Sequence, residues 1–311
     1  VVSARTYRIR SSDGVHLHAI AFGQPTAPAM VFVHGYPDNH QVWLPVAERL
    51  ADHFHVILYD VRGAGASEPG RNVAAYRLAQ LARDLEAVVE RIIPGQKFHL
   101  AGHDWGSIQS WESVTGETLK GFILSYSSLS GPSLDHAAHW LRKRLGSRQG
   151  SRQAIAVKQA LRQLSNSWYI MLFQLPVLAP SAWKLGLGRY WRAYLSRYEQ
   201  VPVKHPNPTQ TNDGVEGVKL YRANFFERLS TPKDCYAHCP VQIIVPKHDK
   251  FVDVSLFDDL CAWVPELYRQ DIDAGHWVLL SQPERIAEML KEFALARDHS
   301  RRGPPSRLSI Q

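Results

Sequence analysis

The segment Gly102-His103-Asp104-Trp105-Gly106 sets an acidic residue between two glycines, directly after the apolar run Lys97 to Ala101. Small-X-nucleophile-X-small between a strand and a helix forms a tight turn that lifts the central side chain out of the sheet, so Asp104 reads as a nucleophile. An N-cap role for the following helix would explain an aspartate, but not the paired glycines. The residue type narrows the chemistry. A serine there attacks acyl carbonyls, and on an sp³ carbon it would leave an ether that water does not readily cleave. A carboxylate attacking the same carbon leaves an ester, which a second step can hydrolyse. Asp104 thus points to cleavage of a C–O or C–halogen bond.

The second step needs a base and an acid to orient it. His276, in Ala274-Gly275-His276-Trp277, follows the last predicted strand and completes the chain order nucleophile, acid, histidine. Asp249 follows the run Val241 to Val245 and is the best orienting acid, holding one imidazole tautomer and stabilising the imidazolium. Asp135 and Asp253 compete for that role. His34-Gly35-Tyr36-Pro37 follows the run Met30 to Val33. The backbone N–H groups of Tyr36 and Trp105 are expected to form an oxyanion hole, although a simple Gly-Pro turn would also fit the first.

These residues need a sheet to hold them. Arg5–Ile9 and Val15–Phe22 flank an Asp-Gly turn and read as a hairpin. Strands are predicted at Met30–Val33, Val56–Tyr59, Phe98–Ala101, Phe122–Ser125, Val241–Val245 and Leu267–Ile272, with a helix over Ala74–Ile93 and a last helix over Pro283–Arg297. This alternation predicts an α/β fold with a mostly parallel sheet. It is interrupted once, so the expected organisation is a core over 1–132, a helical cap over 133–230 with a Pro-rich loop at Pro202–Pro208, a second core part over 231–297 and a linker-like tail over 298–311.

In order and spacing, His34-Gly-Tyr-Pro37, Asp60-Val-Arg-Gly-Ala-Gly-Ala-Ser67, Gly102-His-Asp-Trp-Gly106, Asp249 and Gly275-His276-Trp277 resemble the α/β-hydrolase superfamily, specifically its epoxide hydrolase branch, over residues 5–297. The resemblance implies a hydrolase of ether bonds that opens an epoxide to a diol through a covalent intermediate. It also implies two cap tyrosines. Tyr169, in Trp168-Tyr169-Ile-Met-Leu-Phe173, and Tyr221, in Leu220-Tyr221-Arg222-Ala-Asn224-Phe225, resemble the segments that carry them. Opening an epoxide creates an alkoxide that needs a proton donor, whereas a halide needs none. Cap packing is the plainer account of each tyrosine. The alternatives are a haloalkane dehalogenase, with the same nucleophile and base, and a catalytically idle ligand-binding or membrane-associated module. The chain further resembles the hydrolase-like first half of actinobacterial proteins in which a short-chain dehydrogenase follows, on Ser130-Gly-Pro-Ser-Leu-Asp-His136 and the tail. No G-x-G-x-x-G fingerprint occurs.

Composition bounds the partners. The chain has 311 residues, 45% hydrophobic and 21% charged, which is ordinary globular usage. No apolar run reaches the roughly 18 residues of a membrane span, and the first residues have no signal-like stretch, although the missing Met suggests a trimmed start. The three cysteines fit a reducing cytoplasm; Cys235-Tyr-Ala-His238-Cys239 lacks a visible four-ligand set, so neither metal nor cofactor is expected. Net charge is +7, yet the acid-free stretch between His136 and Arg197 alone holds eleven Lys or Arg and four of the nine tryptophans. That segment reads either as a solvated basic face over an aromatic core or as a contact to anionic membrane through Arg142, Lys143 and Arg144. A hydrophobic, lipid-like epoxide is the expected substrate, nucleic acid is not an expected partner, and the oligomeric state stays open, a homodimer included.

Overall fold

The Asp13-Gly14 turn closes the hairpin that the sequence predicts: β1 (Arg5–Arg10) pairs antiparallel with β2 (His16–Phe22), and Gly14 takes φ +89°. The computed structural model describes residues 4–146, 150–201 and 207–298. Arg148, the side chain of Arg152, most of the Pro202–Pro208 loop and the tail from residue 299 lie outside the described residues.

The remaining strands are β3 (Ala29–Val33), β4 (His55–Tyr59), β5 (Phe98–His103), β6 (Ile123–Leu129), β7 (Val241–Pro246) and β8 (Leu267–Ile272), in the order β1-β2-β4-β3-β5-β6-β7-β8. β3 to β8 are mutually parallel, and β2 runs against β4. The chain leaves β3 toward β4 on one side while β5 lies on the other. Loops after β3 and β5 therefore diverge at the carboxyl edge and leave a crevice there.

β3, β4 and β5 are buried at every position, as expected for parallel strands covered on both faces. Covering begins with α1 (Leu44–Leu50) on one face and with α2 (Leu78–Ile92) and α3 (Trp105–Thr115) on the other. α2 buries Leu81, Leu85 and Val88 at helical spacing. Between β6 and β7 the described chain is helical: α4 (Leu134–Gly146), α5 (Gly150–Asn166), α6 (Trp168–Phe173), α7 (Leu178–Ala182), a π turn at Trp183–Leu187, α8 (Gly188–Tyr198) and α9 (Gln210–Ser230). α10 (Val278–Ser281) and α11 (Pro283–Leu295) follow β8, and α11 packs on α1 over Val46, Leu50, Ile286 and Leu290.

Two predicted boundaries move, each for a local reason. The helix expected from Ala74 starts at Leu78, because Arg77 is extended (ψ 144°) after a 3-10 turn at Val73–Tyr76. Asn224 of α9 stabilises that break, accepting from the Leu78 N–H at 2.9 Å and donating to Tyr76 O at 2.9 Å. The strand expected over Phe122–Ser125 starts at Ile123 and runs on to Leu129. Its serines look like loop in sequence, but they are buried and bonded: Ser125 to His99 at 2.8 Å, Ser127 to Gln242 at 2.9 Å and Ser128 to Ser107 at 2.7 Å.

The helical insertion is fastened to the sheet by buried polar joints. Arg228 of α9 bridges Asp135 at 2.8 Å and Glu112 of α3 at 2.7 Å. Asp213 of α9 accepts from Gly65 N–H at 2.9 Å and from Asn39 Nδ2 at 3.2 Å.

Candidate active site

The register of β3 on β5, Val33 against Gly102, sets Gly35 beside Asp104. Asp104 sits at φ 51°, ψ −123°, a conformation that costs a non-glycine residue about 1–3 kcal/mol and is held by its surroundings. The flanking glycines are a packing requirement. A Cβ on Gly106 would lie 2.0 Å from Val33 O, and one on Gly35 would lie 2.6 Å from Asp104 Oδ2. With no side chain in the way, the Tyr36 N–H reaches Asp104 Oδ2 at 2.8 Å. Trp105 opens α3, where first-turn N–H groups have no partner within the helix.

The loop after β8 brings His276 in from the other side. Its Nδ1–H donates to Asp249 Oδ2 at 2.8 Å, and its Nε2 stands 3.5 Å from Asp104 Oδ1. Asp249 Oδ1 accepts from Phe251 N–H at 2.8 Å and Val252 N–H at 3.0 Å, so both carboxylate oxygens are engaged. Burial alone would push the His276 ring down, but the Asp249 and Asp104 carboxylates carry it well above its ordinary value. Burial likewise raises Asp249, and His276 with the two N–H donors outweighs it, leaving Asp249 low. The rival acids are occupied elsewhere: Asp135 binds Arg228 and the Lys233 N–H, while Asp253 caps the turn at Val254–Phe257 and pairs with Arg162.

Tyr169 on α6 and Tyr221 on α9 meet at Asp104. Their ring centroids are 6.0 Å apart, and Tyr221 stands edge-on to Trp105 at 4.8 Å. Both line one cavity with Asp104, Ile108, Phe225 and Phe251; with its mouth it measures about 760 Å³. Burial, with Asp104 nearby, holds both phenols far above their ordinary value, so they stay protonated.

Several supporting residues had no role that the sequence assigned. His34 Nε2 accepts from the Val61 N–H at 2.8 Å and its Nδ1–H faces Gly35 O at 2.9 Å; burial pushes this ring down to about 4, so it is a neutral brace for the Tyr36 loop. His103 Nε2 holds the His276 carbonyl at 2.9 Å, and burial lowers that ring to about 4. Trp277 is gripped twice, by Asp38 on its indole N–H at 2.9 Å and by Glu199 on its backbone N–H at 3.2 Å. Asp38 was findable as a carboxylate beside the Tyr36 loop. Glu199 was not, since only folding brings the end of α8 onto Gly275.

Burial raises Asp38 to about 7, whereas an unfolded aspartate titrates near 3.9. Folded-state stability from this group is full below the unfolded value and is lost as pH rises toward 7. Asp38→Asn keeps an acceptor for the indole and cannot ionise. Between pH 5 and pH 8, wild type should lose stability relative to Asp38→Asn, by roughly 3 kcal/mol at most. Urea melts at both pH values measure the difference; equal losses would refute a buried, ionisation-penalised Asp38.

A family model described as alpha/beta hydrolase fold matches residues 28–283. The "Probable oxidoreductase EphD" of Mycobacterium tuberculosis is 35% identical over 293 residues, covering 92% of this chain and 49% of that protein. The chain therefore spans about half the length of this curated relative. "Epoxide hydrolase A" of the same organism is 28% identical over 332 residues, covering 94% of this chain and 98% of its own. The crystal structure of Bacillus megaterium epoxide hydrolase in complex with an inhibitor superposes with a TM-score of 0.70 at 20% identity, covering 94% and 100%. At that identity the likeness speaks to fold alone.

Proposed function

The chain belongs to the alpha/beta hydrolase fold family, in its epoxide hydrolase branch, and from that premise we propose that it hydrolyses a hydrophobic, lipid-like epoxide to a vicinal diol. The observation that carries this reading is the pair Tyr169 and Tyr221 lining one cavity with the carboxylate nucleophile Asp104. The helical insertion over 133–230 acts as a cap that supplies the phenols.

In the first step Asp104 Oδ1 attacks an epoxide carbon. A C–O bond forms to Asp104, the ring C–O bond breaks, and the ring oxygen takes a proton from a cap phenol. Oδ2, already bound by the Tyr36 N–H, becomes the ester carbonyl oxygen. In the second step His276 Nε2 takes a proton from water, whose oxygen attacks Asp104 Cγ. The oxyanion forms where Tyr36 and Trp105 donate, which is worth about 3–4 kcal/mol per donor. Collapse breaks the bond between Cγ and the substrate oxygen, which takes the remaining proton of the added water; the diol leaves, with Asp104 again a carboxylate and His276 again an imidazolium.

Electrostatics times the two steps. The free site holds His276 between two carboxylates, which favours the imidazolium. Esterification of Asp104 removes one of those charges, so the imidazolium gives its proton to the phenolate left by ring opening, which restores the phenol, and the neutral ring can then act as base toward water.

The test is intact-mass spectrometry of His276→Gln incubated with epoxides and haloalkanes. A stable adduct on Asp104 equal to the whole epoxide mass is expected. An adduct that lacks the halogen and forms only with haloalkanes would replace this reading with a dehalogenase, and no adduct across a hydrophobic panel would favour an idle module. A redox role attaches to the name of a relative about twice as long. A short-chain dehydrogenase continuation is thus a separate proposal, resting on the linker-like tail.

A further inference from the structure

Helix α5 packs inward through the fully buried Ala160 and two half-buried amides: Gln163 donates to Phe251 O at 3.1 Å and accepts from the Asp253 N–H at 2.8 Å, while Gln159 accepts from Arg144 at 3.1 Å. Its leucines face out. Leu161, Leu164, Trp168, Met171 and Leu175 recur at three- and four-residue spacing through α5, α6 and the turn after it, and all five are exposed, Trp168 at 68% and Met171 at 61%. Exposed apolar side chains continue through Val177 and Leu178 to Leu185, which is 87% exposed in the π turn packed against α7. A stripe of this extent is unusual on a monomer surface and marks an interaction face.

Charge says what covers it. Lys158, Lys184 and Arg189 are exposed around the stripe, and residues 136–197 contain no carboxylate at all. The trio expected from sequence to touch a membrane makes contacts within the protein: Lys143 and Arg144 pair with Asp259, and Arg142 donates to the Ser230 carbonyl at the end of α9. Position says what the face is for. Leu164 belongs both to the exposed stripe and to the wall of the Asp104 cavity, so the apolar surface runs into the mouth of the site.

We propose that the outward face of α5 and α6, with Val177, Leu178 and Leu185, docks in the interfacial layer of an anionic lipid bilayer and admits substrate from it to the Asp104 cavity. Among the described residues no helix is long and apolar enough to cross a membrane, so the contact is peripheral. Trp and Leu facing acyl chains with Lys and Arg at the headgroups is the pattern of an interfacial amphipathic helix. The proposal deepens the reading of a hydrophobic epoxide by giving its source, but the binding measurement uses no substrate and fails or succeeds independently of that chemistry.

The full chain is sedimented with vesicles of phosphatidylcholine alone and of phosphatidylcholine with about one-third phosphatidylglycerol. Binding is expected to the anionic vesicles and to weaken with salt. Trp168→Ser/Met171→Ser should lower vesicle affinity roughly 100-fold, and Lys158→Gln/Lys184→Gln/Arg189→Gln roughly tenfold or more. Circular dichroism checks that both variants fold. Turnover of a short, water-soluble epoxide should stay at the wild-type level, while that of a bilayer-borne epoxide falls. No binding of wild type to anionic vesicles overturns the proposal, as does equal binding by the apolar double variant. A wild-type dimer in light scattering that the double variant reduces to monomer, without lipid binding, would overturn it in favour of a second copy of the chain.

Discussion

Asp104→Ala is expected to lower kcat for epoxide hydrolysis by at least about 10⁴, which corresponds to roughly 5.5 kcal/mol of barrier. No neighbour can take over. Asp249 is turned away, both its oxygens bound by His276 and backbone N–H groups, and Asp38 is held on the Trp277 indole. The fold should survive, because the Asp104 carboxylate contacts one N–H and the His276 ring rather than the apolar core. A second readout separates loss of the nucleophile from general damage. With one of its two carboxylates gone, the His276 ring should titrate lower than in wild type by NMR. Its folded pKa stands above the unfolded one, so the stability it contributes is complete at low pH and is lost as pH rises through the folded value; that loss should come at lower pH in the variant. Turnover within tenfold of wild type would end the case for an Asp104 ester.

Tyr169→Phe/Tyr221→Phe should slow epoxide ring opening by about 10³ or more, the range of a lost general acid. Each single variant should lose much less. Both phenols border the same cavity, and either can donate to a ring oxygen placed above Asp104. The two changes are therefore expected to be strongly non-additive. Phenylalanine keeps the edge-on contacts with Phe173, Phe251 and Trp105, so thermal stability should change little. The cleanest measurement is the rate of adduct formation in a His276→Gln background, which isolates alkylation from ester hydrolysis. An unchanged rate in the double variant would demote both tyrosines to packing. Haloalkanes, if they react at all, should not distinguish the variants, since a halide leaves without a proton.

How much of this was legible in the chain follows from how local each constraint is. The elbow was readable because Gly102, Asp104 and Gly106 satisfy one turn within five residues, and the apolar runs of β3, β5 and β7 were readable because buried parallel strands leave few other choices. β6 was not, since Ser125, Ser127 and Ser128 are tolerated in the core only through partners on β5, α3 and β7. The break before α2 was not, since Asn224 comes from the far side of the insertion. His34 and His103 look alike in sequence to a catalytic histidine. What separates them from His276 is that burial without a carboxylate partner drives a ring neutral, while burial between two carboxylates charges it.

By itself, the sequence determined the chemistry available: an aspartate at a strand-to-helix turn, a histidine after the last strand, an acid between them and two tyrosines in a helical insertion. Tertiary structure alone decided who serves whom. It chose Asp249 over Asp135 and Asp253, because only Asp249 reaches the imidazole while the others are spent on Arg228 and a turn. It recruited Asp38 and Glu199 to grip Trp277. It also turned Leu161 and Leu164 of α5 outward, since Ala160 took the buried side of the helix and the half-buried Gln163 and Gln159 found their hydrogen-bond partners beside it. Spacing along a chain states which side chains share a face; only packing states which way that face looks.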